Sequence, residues 1–323
     1  MLRYIARRLL LMIPTLLGIT LIVQLFIMIT PGDPVRIMLG TQFSQEEVDA
    51  MREELGLNDP FHIRYARYIG NILLRGDFGK SYRTKAPALT EILQRFPYSL
   101  MLVTISLVIA LFAGIPLGIY AATHQYSWKD NAAIFASLFC VSMPGFWFAL
   151  MLIQLFCVRF QILPVAGVDK WAGWVLPAVT GALGFAATIA RQMRSNLLEV
   201  IRQDYITTAR AKGLSETRVL YRHGLKNAVI PVIMVVGGIF GMAMGGSMIS
   251  EMIFSIPGLG NYTLSALNAR DYPVIQTSVL FMSALFAVVL LLIDLAFAFI
   301  DPRIRSQYSK KRQKTDKKEE VAQ

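Results

Sequence analysis

Apolar residues in this chain gather in long blocks separated by polar stretches. Six blocks reach the roughly 20 residues that a helix needs to cross a bilayer: 9–30, 98–123, 132–158, 174–190, 230–254 and 274–300. The pattern predicts an all-α integral membrane protein with six transmembrane helices. The first block is longer than the apolar region of a signal peptide and runs into "TPGDPV" without an A-x-A cleavage site, so it is expected to remain as an anchor.

The polar stretches set the expected orientation. Arg3, Arg7 and Arg8 precede the first block, eight Lys and Arg residues lie between Arg191 and Lys226, and eight more lie between Arg303 and Lys318. The short loops of the other side carry only Arg159, Lys170 and Arg270. An excess of positive charge marks the cytoplasmic side, which predicts that both termini are cytoplasmic. The long stretch 31–97 balances nine basic against nine acidic residues and is expected outside, as a small helical subdomain. Within it "SQEEVDAMREELG" reads as a helix start, with Ser44 as the cap and Glu46 and Glu47 in the first turn. The tail "SKKRQKTDKKEEVAQ" is charged and without apolar periodicity, the composition of a disordered segment.

Composition agrees with a membrane protein. Of 323 residues, 55% are hydrophobic and only 16% charged, and the mean hydropathy is +0.51. The net charge of +11 sits beside apolar blocks and in the tail, which fits membrane topology better than nucleic-acid binding. Cys140 and Cys157 share one apolar block and read as small hydrophobes. His62, His124 and His223 lie too far apart for a metal-ligand motif, so no metal is expected.

"GDFGKS", 76–81, has the G-K-S of a phosphate-binding loop, but the position that needs the first glycine holds Leu74. No G-x-S-x-G or H-E-x-x-H occurs, so the chain is not expected to be an enzyme or to hydrolyse ATP by itself. Gly237, Gly241 and Gly245 recur every fourth residue, as do Gly114 and Gly118, a spacing that lets helix backbones approach. That contact is either packing within the subunit or a subunit interface or translocation path. Two acids interrupt the blocks: Asp294 in the last and Glu251 near the end of the fifth. Each is a candidate for gating or proton coupling, against a plain polar contact with a neighbouring helix or the interface.

The break at 203–231, "QDYITTARAKGLSETRVLYRHGLKNAVIP", reads as two short amphipathic helices. Gly213 permits a sharp turn between them. Ser215 is placed to cap the second helix over 216–222, with Leu214 and Val219 as a hydrophobic staple and Tyr205, Leu214 and Leu220 exposed. Such a unit either lies on lipid or docks in a partner's groove.

This stretch resembles the cytoplasmic EAA loop of permease subunits of ABC importers, in the dipeptide, oligopeptide and nickel family that includes glutathione importers. "MLRYIARRLLLMIPTLLG", "TPGDPV", "GDFGKSY", "ILPVAG", "IFSIPGLG" and "DYPVIQ" extend the resemblance in order over nearly the whole chain. The family's E-A-A…G pattern falls on Thr207, Thr208, Ala209 and Gly213, and its closing I-x-L-P on His223 to Lys226. The acidic first position and the final proline are absent there; Asp204 and Glu216 are the nearby acids. The resemblance implies a type I importer permease fold. It implies 1–30 as cytoplasmic N-terminus and first helix, 31–97 as outer subdomain, 98–300 as five-helix core with a coupling segment at 199–230, and 301–323 as cytoplasmic tail. The implied coupling residues are Asp204, Tyr205, Thr207, Thr208, Ala209, Lys212, Gly213, Leu214, Ser215 and Glu216. The implied assembly adds a second homologous permease, two cytoplasmic ATPases that use ATP and Mg, an extracytoplasmic solute-binding protein and membrane lipid, with no cofactor on this chain and no nucleic acid. Short peptides are the implied cargo, with glutathione or nickel chelates as alternatives and a proton-coupled secondary transporter as the rival class.

Overall fold

The computed structural model describes residues 2–39 and 44–300. The expected tail 301–323 lies outside the described residues. Among the described residues the regular elements are helices, with one isolated bridge between Lys80 and Pro87. In chain order the helices are α1 (Leu2–Ile29), α2 (Pro34–Leu39), α3 (Gln45–Glu54), α4 (Phe61–Arg75), α5 (Ala88–Thr123), α6 (Trp128–Ser142), α7 (Gly145–Leu152), α8 (Ala172–Ile201), α9 (Asp204–Ala211), α10 (Glu216–Arg218), α11 (Leu225–Gly246), α12 (Met248–Ile253), α13 (Leu259–Ala269) and α14 (Tyr272–Ile300). Looser π-helical turns, Ile153–Arg159 and Val219–Gly224, follow α7 and α10.

Five helices are long and apolar enough to cross a membrane, and a sixth span results if α6 and α7 are counted as one. The third apolar block is therefore not the single straight helix expected. It bends by 96° between Ser142 and Gly145, where Pro144 lacks an N–H and pushes Met143 into extended backbone. The fifth block also divides, with α11 ending at Gly246 and α12 following. The fourth runs beyond Ala190 to Ile201, carrying the helix into the basic region.

The bundle is built around α5 and α8. A Cβ on Gly114 would lie 2.6 Å from the Ala186 carbonyl oxygen, and one on Gly118 would lie 2.5 Å from that of Ala190. The two helices thus touch backbone to backbone, which in lipid replaces hydrophobic expulsion as the source of cohesion. Beside this seam Leu107, Ala110, Ile189, Met193 and Leu197 form one core with Ala228 and Val232 of α11. α14 packs on α11 and α1, and α6 on α8. Buried Asp130 at the start of α6 takes both Arg194 Nε (2.6 Å) and Nη2 (2.7 Å), pinning α6 to the lower half of α8.

Candidate functional site

The segment that leaves the bundle after α8 folds as an elbow. Its first arm, α9, begins after Gln203 in extended backbone, with Asp204 in the first turn where the helix dipole favours an acid. Ile206 and Ala209 face inward and meet Val219 from the second arm, with Leu214 packed against them. This small apolar core holds the two arms together.

Gly213 ends the first arm. The Leu214 N–H donates to the Ala209 carbonyl (3.4 Å) and the Gly213 N–H to that of Arg210 (2.9 Å), the two bonds of a Schellman stop. Gly213 stands at φ +78° and a Cβ there would meet nothing within 4 Å. Glycine is needed for the dihedral angle alone. Across the turn the Arg210 guanidinium grips Glu216, with Nε 2.7 Å from Oε1 and Nη2 3.3 Å from Oε2. Glu216 thus pairs inside the segment.

One bond fastens the elbow to the bundle: Asn227 Nδ2 of α11 donates to the Tyr205 hydroxyl at 2.8 Å. Beside it, Asn196 Nδ2 of α8 donates to the Ala228 carbonyl at 3.3 Å and ties α8 to α11, the two helices that flank the elbow in the chain. What remains outward is polar and basic: Asp204, Thr207, Thr208, Lys212, Ser215 and Glu216, together with Tyr205 and Tyr221. Sequence reasoning missed Tyr221, Asn227 and Asn196. Tyr221 lies in the loose turn after α10 and is exposed. Three expectations need correction. The second arm is α10 followed by a π-helical turn rather than one helix, Ser215 makes no side-chain capping bond, and Leu214 and Leu220 are half-buried rather than exposed, packed into neighbouring cores.

The other singled-out residues lie elsewhere. A Cβ on Gly237 would overlap Ile293 and one on Gly241 would overlap Phe286, so that face packs on α14, whereas Gly245 faces open space. Asp294 pairs with Arg8 of α1 at 2.8 Å. Glu251 is fully buried on α12, among neutral donors. Its Oε1 accepts from Ser99 Oγ (2.7 Å) and Ser247 Oγ (2.8 Å), and its Oε2 from the Asn261 N–H of α13 (2.8 Å). Ser99 in turn accepts the Leu259 N–H at 2.7 Å. The carboxylate therefore caps the start of α13. Among the described residues no group of three or more His, Cys, Asp or Glu could hold a metal ion.

Residues 114–306 match the family described as "Binding-protein-dependent transport system inner membrane component", and residues 1–107 match its N-terminal component. The chain belongs to this family of inner-membrane transport components. The glutathione transport system permease protein GsiC of Salmonella paratyphi A is 40% identical over 305 residues, covering 94% of this chain and 99% of that one. The protein of the same name from Escherichia coli K12 is 39% identical over the same length. Two inward-facing structures of the MetNI methionine ABC transporter share the fold at TM-scores of 0.56 and 0.57 and 17% identity, covering 66% of this chain and 97% of theirs. This chain is thus a multi-pass permease subunit of an ABC importer and not itself the catalytic component. Binding-protein dependence implies ATPase and binding-protein partners.

Proposed function

We propose that this permease moves short peptides by alternating access, and that the elbow at 199–230 is the handle by which two ATPases drive it. The cytoplasmic surface would then carry both termini and the elbow, as the distribution of Lys and Arg suggests, with the subdomain 31–97 outside. A second homologous permease completes the pathway. ATP and Mg are bound by the ATPases, and this chain needs no cofactor of its own. Among short peptides glutathione is the first cargo to test, because the similar permeases carry that name.

The observation that carries this reading is the construction of the elbow. A Schellman stop, a bidentate ion pair and a private apolar core make it rigid, a bond from Asn227 ties it to α11, and a bond from Asn196 ties α11 to α8. A push on such a body moves the bundle instead of bending a loop. Its outward face is polar with two tyrosines, which suits a protein groove better than burial in lipid tails. For proton coupling the two acids are poorly disposed, since Asp294 is paired with Arg8 and Glu251 is saturated by three donors.

The test is Gly213→Val in the full complex, reconstituted in vesicles with partner ATPases and binding protein. A β-branched residue at φ +78° is strained. Peptide uptake should fall at least tenfold per ATP hydrolysed, or the ATPases should dissociate. Full ATP-driven uptake with normal association would overturn the handle assignment, and uptake driven by a proton gradient alone would overturn the importer mechanism.

A further inference from the structure

Past the end of α1 the outer subdomain forms an open cavity of about 220 Å³ against the start of α14. Its lining includes Thr30, Asp33, Arg52, Asn58, Arg64 and Tyr272. The charges in this wall do not cancel. Arg52 is consumed, because its Nε and Nη2 hold Asp33 Oδ2 at 3.1 and 2.6 Å and its Nη1 holds Asp49 at 3.0 Å. Asp33 spends its other oxygen on the Val35 N–H at 3.1 Å. Two guanidinium groups are left over. Arg64 lines the cavity, and Arg270 lies across Gly32 at its rim, where Gly32 at φ +117° leaves room for it and a Cβ would come within 2.6 Å of Cζ. Both are half-buried, and among the described residues neither guanidinium has a hydrogen bond or ion pair. Partly desolvated cations without a partner are costly unless an anion arrives.

We infer that this cavity receives an acidic side chain of the extracytoplasmic solute-binding protein, held between Arg64 and Arg270. The proposal rests on the reading above that a binding protein docks on the 31–97 side. A carboxylate matches the ligand preference of a guanidinium group. The cavity volume favours a side-chain head over the cargo, since pockets that enclose a small-molecule ligand usually run from about 300 Å³ upward. Most of the lining comes from residues past Ile29, where α1 has ended, which favours a soluble partner over a lipid headgroup.

The experiment titrates purified binding protein against the reconstituted complex and reads ATPase stimulation at low and high salt. Arg64→Ala and Arg270→Ala should each raise the half-saturating concentration about tenfold while keeping the plateau, and should flatten its salt dependence. Arg67→Ala is the control, because Arg67 lies on the same helix but pairs with Asp59 at 2.6 Å; its curve should match wild type. An Asp→Arg or Glu→Arg change on the binding protein should worsen docking to wild type and improve docking to Arg64→Glu. Curves unchanged in both alanine variants would overturn the proposal, as would loss of bound phosphatidylglycerol with unchanged docking, which would assign the cavity to lipid. Altered dependence on cargo with unchanged docking would assign it to cargo and overturn it equally. If wild type shows no binding-protein stimulation at all, the importer reading fails instead.

Discussion

Two glutamates in this permease each close the start of a helix, and they do so by opposite means. Glu47 belongs to the helix it caps. Its carboxylate accepts the Ser44 N–H at 2.9 Å while Ser44 Oγ accepts the Glu47 N–H at 3.3 Å, a reciprocal box at the exposed start of α3. Glu251 belongs to α12 and caps α13, fully buried, with one of its three donors contributed by Ser99 of α5. The first cap sets where one helix begins. The second fixes how α12, α13 and α5 sit against one another, because its donors come from α5, from Ser247 at the start of α12 and from α13.

The difference predicts a ranking of effects. Glu251→Ala is expected to do the most damage, leaving the half-buried Asn261 N–H and two buried serine hydroxyls without their acceptor and opening a cavity. The cost should be about 3 kcal/mol or more, read as a large fall in the thermal midpoint of the purified complex in detergent. An unchanged midpoint would mean that α13 holds its place without the carboxylate. Gly258→Ala comes next. A Cβ there would overlap the Glu251 carboxyl and lie 2.7 Å from Ser99 Oγ, so overpacking of about 2 kcal/mol is expected, and pairing it with Glu251→Ala should be less than additive. Additive losses would separate the two residues.

Smaller again is Ser44→Ala, worth about 1 kcal/mol to α3 alone. Its signature is faster amide exchange over 45–48 with no shift in the midpoint of the bundle. The smallest effect comes from pH. Hydrogen bonds from the Ser44 backbone and then its side chain hold the Glu47 carboxyl below its ordinary range. A depressed folded pKa means that the cap is complete above the ordinary glutamate value and is lost as pH falls through the folded one. Exchange over 45–48 should therefore rise only below about pH 4.3, the unperturbed glutamate value, and Glu47→Gln should remove that dependence.

The same contrast explains which features were legible in the chain. Ser44 with Glu47 three residues later, Gly213 between two amphipathic arms and the six apolar blocks are local patterns, and each had a readable physical reason. The bend at Pro144 went unread, because a block apolar from end to end was expected to cross as one span and gives no sign of the direction in which a broken span will turn. Nothing near Glu251 pointed to Ser99, 152 positions earlier. Nothing near Arg194 pointed to Asp130, 64 positions earlier. The glycine repeat in α11 showed its limit in the other direction: the spacing treated Gly237, Gly241 and Gly245 alike, and only two of them meet α14.

The sequence by itself determined that the chain lives in a membrane, where its apolar blocks lie, and where it breaks to present a polar elbow, although α5 starts at Ala88, well before its block, and α8 runs on to Ile201, well past its own. These follow from transfer of apolar blocks into lipid and from backbone preferences, both of which act over a few neighbouring residues. Only the tertiary structure decided which glycines are crowded, which acid is buried among neutral donors and which arginines have no partner among the described residues. Those outcomes depend on residues far apart in the chain arriving at one place. Inside a bilayer that arrangement is selected by close packing and hydrogen bonds between helices, because lipid offers no hydrophobic gradient along which to sort them.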